Sequence, residues 1–146
     1  MTARPLSIKF ALGLTVLNLV FLLSVLGVLN FALQGEPAAG GQMASIKDAL
    51  VETFQLDLTQ DPGYNIQFAL GKLLLPIILA FVEIFLLLRG RYYIFLWVVL
   101  ILHMTMIFPL FGFPLAEILV AALLIANPSR AYFNFDASGG QRMLDD

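Results

Sequence analysis

FALGKLLLPIILAFVEIFLLLRGR, from Phe68 to Arg91, decides the fold. The run is apolar over about the thickness of a bilayer's hydrocarbon core, which takes roughly 20 residues of α-helix. It nevertheless holds Lys72, Pro76 and Glu83, and closes on Arg89, Gly90 and Arg91. A charged side chain inside such a run is costly and needs a partner or a task. Lys72, Pro76, Leu79 and Glu83 are spaced four, three and four, so they share one helical face. Lys72 and Glu83 sit roughly 16 Å apart along the axis, too far to pair with each other.

The remaining sequence is of the same kind. Of 146 residues, 60% are hydrophobic and 12% charged, about half the charged share of a soluble domain. That polar surface is too small to coat a water-soluble globule, so apolar area must face lipid or a large partner. The net charge is −2 and no basic patch could cover a phosphate backbone, which excludes nucleic acid as a partner. The absence of cysteine removes disulfides, thiolate metal sites and thiol exchange. A single histidine, His103, is too few for bis-imidazole haem or a histidine-rich zinc site. No cofactor and no metal site are expected.

Four apolar runs are separated by short punctuation. Arg4 and Lys9 precede an uncharged run over residues 10–33. It is longer than the roughly 7–15 apolar residues of a signal peptide, so a retained transmembrane helix is expected. Ala11, Thr15 and Asn18 line one face of it. The second run predicts a helix over 67–89, and the third a helix over 92–108, with Tyr92, Tyr93 and Trp97 marking an interface. Pro109, Gly112 and Pro114 predict a hairpin to a fourth helix over 111–126, which is short for a span. Asn127-Pro128 suits a helix start and predicts a brief interfacial turn with Arg130 at the headgroups.

Residues 34–66 form the one long polar connection. GEPAAGG (35–41) has linker composition. Ser45 and Asp48 fit a capping box, and Ile46, Ala49, Leu50 and Phe54 follow helical spacing. They predict a short amphipathic helix over about 45–56, lying on the membrane surface or over the bundle. Thr59 to Gly63 is turn chemistry. The tail, 134–146, has almost no apolar content and is expected to be disordered and cytoplasmic. The expectation is thus an all-α membrane protein. It has one transmembrane domain over 1–133, a four-transmembrane-helix bundle with a short amphipathic helix in the first extracytoplasmic loop.

With four spans, Arg4, Lys9, Arg89, Arg91, Arg130 and Arg142 fall on one side, and only Lys47 and Lys72 on the other. The positive-inside rule then makes both termini cytoplasmic and the 34–66 loop external. Arg89, Arg91, Arg130 and Trp97 serve as interfacial anchors. Depth follows from about 1.5 Å per residue counted from the inner anchors. Glu83 lies about 9 Å above Arg89, His103 about 18 Å above Arg91 and Glu117 about 19 Å above Arg130. Lys72, His103 and Glu117 therefore fall in the outer half, and Glu83 in the inner half with Asn18 and Thr15. The outer group reads as a polar site with His103 relaying between a cation and a carboxylate. It reads equally as a Lys72–Glu117 ion pair with His103 filling a hydrogen bond, or as a lysine snorkelling outward. Glu83 suits proton-linked work, a hydrogen bond to Asn18 or Thr15, or an ion pair with Arg89 or Arg91.

Arg4-Pro5 before the first helix, RGRYY (89–93) before the third and NPSRAYF (127–133) after the fourth give the chain its likeness. It resembles small bacterial four-helix membrane proteins to which no activity is assigned. That resemblance implies an inner (plasma) membrane location and carries over no site residue. The chain departs from small multidrug transporters, whose essential glutamate lies in the first helix, and from four-helix quinone-linked thiol oxidases, whose cysteines it lacks. The expected function is that of a non-catalytic accessory, assembly or interaction subunit, packed against another membrane protein or a second copy of itself. The alternative is a small oligomeric proton-coupled transporter using Glu83 and the Lys72, His103 and Glu117 group. No enzyme is expected, since no nucleophile–base pair, metal cluster or phosphate loop is visible.

Overall fold

Among the described residues, six helices follow one another. In the computed structural model, residues 4–34, 41–57, 59–133, 135–136 and 140–141 are described. The helices are α1 (Leu6–Gln34), α2 (Gln42–Phe54), α3 (Pro62–Arg89), α4 (Tyr93–Phe111), α5 (Leu115–Ile125) and α6 (Asn127–Tyr132). A two-residue antiparallel ladder, β1 (Phe135–Asp136) with β2 (Gly140–Gln141), follows them. Most of the tail expected to be disordered, and the greater part of the 35–41 linker, lie outside the described residues.

α1, α3 and α4 are long and apolar enough to cross a membrane. Their outer faces carry Phe10, Leu17 and Phe31 on α1, Phe81 and Phe85 on α3, and Phe95 and Ile101 on α4, all exposed. Apolar faces this continuous belong in lipid rather than in water. The chain is a helical membrane protein.

The helix ends explain where the expected boundaries move. Pro5 sets up α1, its carbonyl accepting from the Ile8 and Lys9 amides, so α1 starts four residues before the uncharged run. Asp61 and Pro62, expected only to turn the chain, begin α3. The Asp61 carboxylate accepts from the Gly63 amide at 2.8 Å, and Pro62 takes a first-turn position where no amide donor is required. Gly90 ends α3 in the left-handed region at φ 63°, its amide reaching the Leu86 carbonyl. Pro109 does not stop α4, which runs on to Phe111 and ends at Gly112, φ 75°. Phe111 thus closes α4 instead of opening the next helix, and α5 is left with 11 residues, about 16 Å of axis.

α2 starts behind Gly41, with no side-chain cap, so Ser45 lies inside the helix and the Ser45–Asp48 capping box is not formed. Its packed face also differs from the expected one. Leu50, Val51 and Phe54 turn inward, while Ile46 and Ala49 are exposed. Phe54 and Phe21 both meet the Phe111 ring edge-on, at 6.3 and 5.4 Å, which ties α2 to α1 and α4.

α1 packs against α3 and α5, and α4 packs against the same two helices. Their shared interior holds two separate apolar clusters. One contains Ile8, Ala11, Leu86, Leu96, Leu100 and Leu124. The other contains Leu22, Leu29, Phe54, Leu73, Ile77 and Ala80. Thr15 and Asn18 on α1 and Glu83 on α3 lie where the two clusters adjoin, and His103 on α4 lies between Leu100 and Ile107 of the first.

Candidate functional site

The polar layer takes one side chain from each of four helices: Asn18 from α1, Glu83 from α3, His103 from α4 and Glu117 from α5. Periodicity places each inward. Glu83 follows Pro76 and Leu79 on the buried face of α3, and His103 lies between Leu100 and Ile107 on that of α4. Glu117 heads the buried Glu117–Val120–Leu124 stripe of α5. Glu83, His103 and Glu117 are 3% exposed or less, so water cannot satisfy them and they must satisfy one another.

The geometry forms a chain. His103 Nδ1 and Glu83 Oε1 are 2.8 Å apart, a hydrogen bond whose single proton belongs to one or the other. On the far side of the ring, Nε2 faces Glu117 Oε1 at 3.9 Å, beyond hydrogen-bond length. Nε2 has no hydrogen-bond partner among the described residues. Asn18 completes the chain by donating from Nδ2 to Glu117 Oε1 at 2.5 Å. The two carboxylates contact opposite edges of the imidazole, so they cannot share one metal ion with it. No group of three metal-ligating side chains converges among the described residues.

Two residues expected near this group do other work. Lys72 is far from it: Nζ donates to the Phe54 carbonyl at 2.7 Å and lies 4.6 Å from the centre of the Phe68 ring. It caps the C-terminal end of α2, where carbonyls lack helical partners. Thr15 is buried and returns its hydroxyl to the Ala11 carbonyl at 3.0 Å. The grouping by depth, with Lys72 beside His103 and Glu117 and Glu83 apart from them, is therefore corrected to Glu83–His103–Glu117–Asn18. For Glu117 the reason is the break at Ala126, whose backbone is extended; for Glu83 and His103, depths of about 9 and 18 Å counted from either side of the Gly90 turn do not reveal their contact. Counting helix from Arg130 through that break set Glu117 too high. From Ile125 it is only about 12 Å along the axis.

A second set of contacts gathers at the opposite end of the bundle from α2. The Tyr132 hydroxyl donates toward the Leu87 and Leu88 carbonyls, at 3.1 and 3.3 Å, and Arg4 reaches the Leu88 carbonyl at 3.4 Å. Ser129 donates to the Leu123 carbonyl and shares a 2.7 Å hydrogen bond with Ser7. Tyr93 donates to the Leu124 carbonyl at 2.9 Å and packs on Phe133 with ring centres 5.4 Å apart. The orphan carbonyls closing α3 and α5 are thus taken by side chains of other elements. The Arg4-Pro5, RGRYY and NPSRAYF segments, distant in sequence, together build this cap. Of the expected anchors, Arg89 and Arg91 are exposed there, with Arg89 over the Phe85 ring at 5.1 Å. Arg130 is half-buried, and Trp97 is half-buried against Tyr93.

Nothing in the linear sequence says that these three segments meet; it only places Arg4, Arg89, Arg91 and Arg130 on one side. Ser7 and Ser129 carried no separate signal beyond being small polar residues beside apolar runs. The chain matches no protein-family model, no curated protein and no solved structure.

Proposed function

We propose that the chain is a non-catalytic integral membrane protein that serves as an accessory or assembly subunit of a membrane complex. The observation that carries this reading is how the polar layer is used. Asn18, Glu83, His103 and Glu117 spend their hydrogen-bonding capacity largely on one another, inside the apolar interior of the bundle. A layer of this kind fixes helix partners and register. What it leaves for the outside is apolar helix surface, suited to lipid and to the helices of a partner.

A four-span bundle in a bacterial inner membrane, with both termini cytoplasmic, fits the same geometry. The Ser7–Ser129 and Arg4–Leu88 contacts put the start of α1, the end of α3 and α6 at one end. Four crossings, with α5 supplemented by the segments flanking it, return the chain to that end. Arg4, Lys9, Arg89, Arg91 and Arg130 collect there, which makes it the cytoplasmic side. α2, carrying Asp48 and Glu52, is then the external amphipathic helix.

Cross-linking in native membranes, followed by extraction in a mild detergent, tests the proposal. A partner subunit or a stable homo-oligomer is expected to co-purify. Recovery of a monomer alone, after cross-linking in its own membrane, refutes it.

The alternative, a small proton-coupled transporter, is favoured by one observation: the direct Glu83–His103 contact within the bundle. It loses Lys72 as a participant. Proton uptake into vesicles that is abolished in Glu83→Gln would establish it.

A further inference from the structure

The Nε2 atom of His103 is the one buried polar atom of the layer left without a hydrogen bond. An atom left bare gives up its hydration for nothing, so buried polar groups almost always find partners. Here the nearest oxygen is Glu117 Oε1 at 3.9 Å, about 1 Å too far, while the opposite ring nitrogen is fully engaged with Glu83. The groups facing the ring are known from every packed helix. They are Glu83 from α3, Glu117 from α5 and, behind Glu117, the uncharged Asn18 of α1. Lys72 is engaged elsewhere, and Arg89 and Arg91 are exposed at the end of the bundle. The ring is thus flanked by two acids and no cation.

An imidazole between two carboxyl groups is symmetric in function if not in distance. Each nitrogen can give or take a proton, and taking one at one edge releases one at the other. We propose that Glu83, His103 and Glu117 form an intramembrane proton-exchange site, in which the His103 ring passes a proton between the two carboxyl groups.

The step balances within the three residues. It begins with Glu83 protonated, His103 carrying its proton on Nε2, and Glu117 ionised. The O–H bond of Glu83 breaks as an N–H bond forms at Nδ1. The N–H bond at Nε2 breaks as an O–H bond forms on Glu117. The ring stays neutral before and after, its double bonds exchanged, and the trio keeps one negative charge throughout. Asn18 serves both states. Its amide N–H donates to the ionised Glu117, and after an amide flip its carbonyl accepts from the acid.

The step needs the Nε2–Glu117 gap to close by about 1 Å to reach hydrogen-bond length. α5 is the element suited to that movement. It is 11 residues long, its last turn held by Tyr93 and Ser129 and its first turn, which carries Glu117, next to the Gly112–Pro114 turn, so the movement belongs at that first turn. The Glu83 side is held between the long α3 and α4. This proposal rests on neither functional reading above, because exchange within the trio requires no net carriage across the membrane.

His103 is the sole histidine of the chain, so histidine-selective 15N labelling reports on this ring alone. The full-length protein in lipid bilayers is examined by solid-state NMR, which distinguishes protonated from bare ring nitrogens. In the wild type, both neutral tautomers are expected, exchanging, with each nitrogen protonated part of the time. Glu117→Gln is expected to shift the ring toward the Nδ1–H tautomer, against the remaining Glu83 carboxylate. Glu83→Gln is expected to shift it the opposite way, toward Nε2–H. A wild-type ring held in one tautomer across the neutral pH range, or doubly protonated throughout it, overturns the proposal. That measurement decides the matter even if neither variant folds. Equal ring states in the wild type and both folded variants overturn it as well.

Discussion

Replacing Glu83 with leucine tests the polar layer as a structural device. The substitution puts an apolar side chain of similar size at the position and deletes the hydrogen bond between Glu83 and His103. Nδ1 is then without a partner among the described residues, in a side chain that is 0% exposed. Leaving a buried polar group unsatisfied costs about 1–3 kcal/mol. Hydrogen bonds between membrane helices have measured couplings of only about 0.6 kcal/mol on average and about 1.7 at most. The two ranges overlap between about 1 and 1.7 kcal/mol. The complete burial here argues for that value rather than for the membrane average. The second arm is decisive. Glu83→Leu combined with His103→Phe removes both partners, and deleting a whole buried pair is close to neutral. The double variant should therefore be more stable than Glu83→Leu alone by about 1 kcal/mol, a favourable interaction energy on the cycle. Reversible unfolding in bicelles, monitored by helix content, gives all four stabilities. Additive losses, or a Glu83→Leu variant within about 0.3 kcal/mol of the wild type, would falsify the claim that this contact holds the bundle together.

Gly90→Ala should destabilise by about 1–3 kcal/mol, because φ is +63° and the added Cβ would stand 2.7 Å from the Tyr132 ring. Thermal denaturation in detergent measures it, and Tyr132→Ala in the same chain should recover the steric part but not the backbone part. Lys72→Met keeps the stem and removes the donor to the Phe54 carbonyl. Faster amide exchange over the last turn of α2, with α3 and α4 unchanged, is expected, and uniform change across the chain would contradict it. The Asp57 carboxyl is held below its ordinary value by hydrogen bonds from the Thr59 hydroxyl and amide. A depressed carboxyl contributes its stabilisation above its unfolded pKa and loses it as pH falls through the folded one. Protection of the Thr59 amide should accordingly persist at neutral pH and disappear in acid below the usual aspartate range, and Asp57→Asn should make it independent of pH.

Helix identity was written plainly in the sequence, because apolar runs of membrane length leave the backbone no alternative to helix. The buried face of α3 was legible for the same reason. Pro76, Leu79 and Glu83 recur at helical spacing and all three turn inward. What linear reading could not supply was which helix each polar side chain meets. Glu83 and His103 are 20 residues apart and Asn18 and Glu117 99 apart. Nothing in either pair's local sequence names its partner. Depth counting stood in for that information; it failed for Glu117 where α5 breaks at Ala126, and it set Glu83 and His103 about 9 Å apart although they touch. The face of α2 was misjudged for a related reason. Ile46, Ala49, Leu50 and Phe54 satisfy helical spacing, but so do Leu50, Val51 and Phe54. The position of Phe111 chose between them.

The pairing of Asn18 with Glu117 has a consequence in time. Synthesis runs from α1 toward α6, so Asn18 enters the bilayer long before its acceptor exists. Glu83 is in the same position until α4 emerges, and for a shorter interval. Each waiting side chain exposes an unmet polar group to lipid, a mark by which an unfinished chain differs from a finished one. Arrival of α5 removes the last of these marks on α1, and α6 then locks Ser129 onto Ser7. For α1, docking of α5 and loss of the unmet group are therefore the same event.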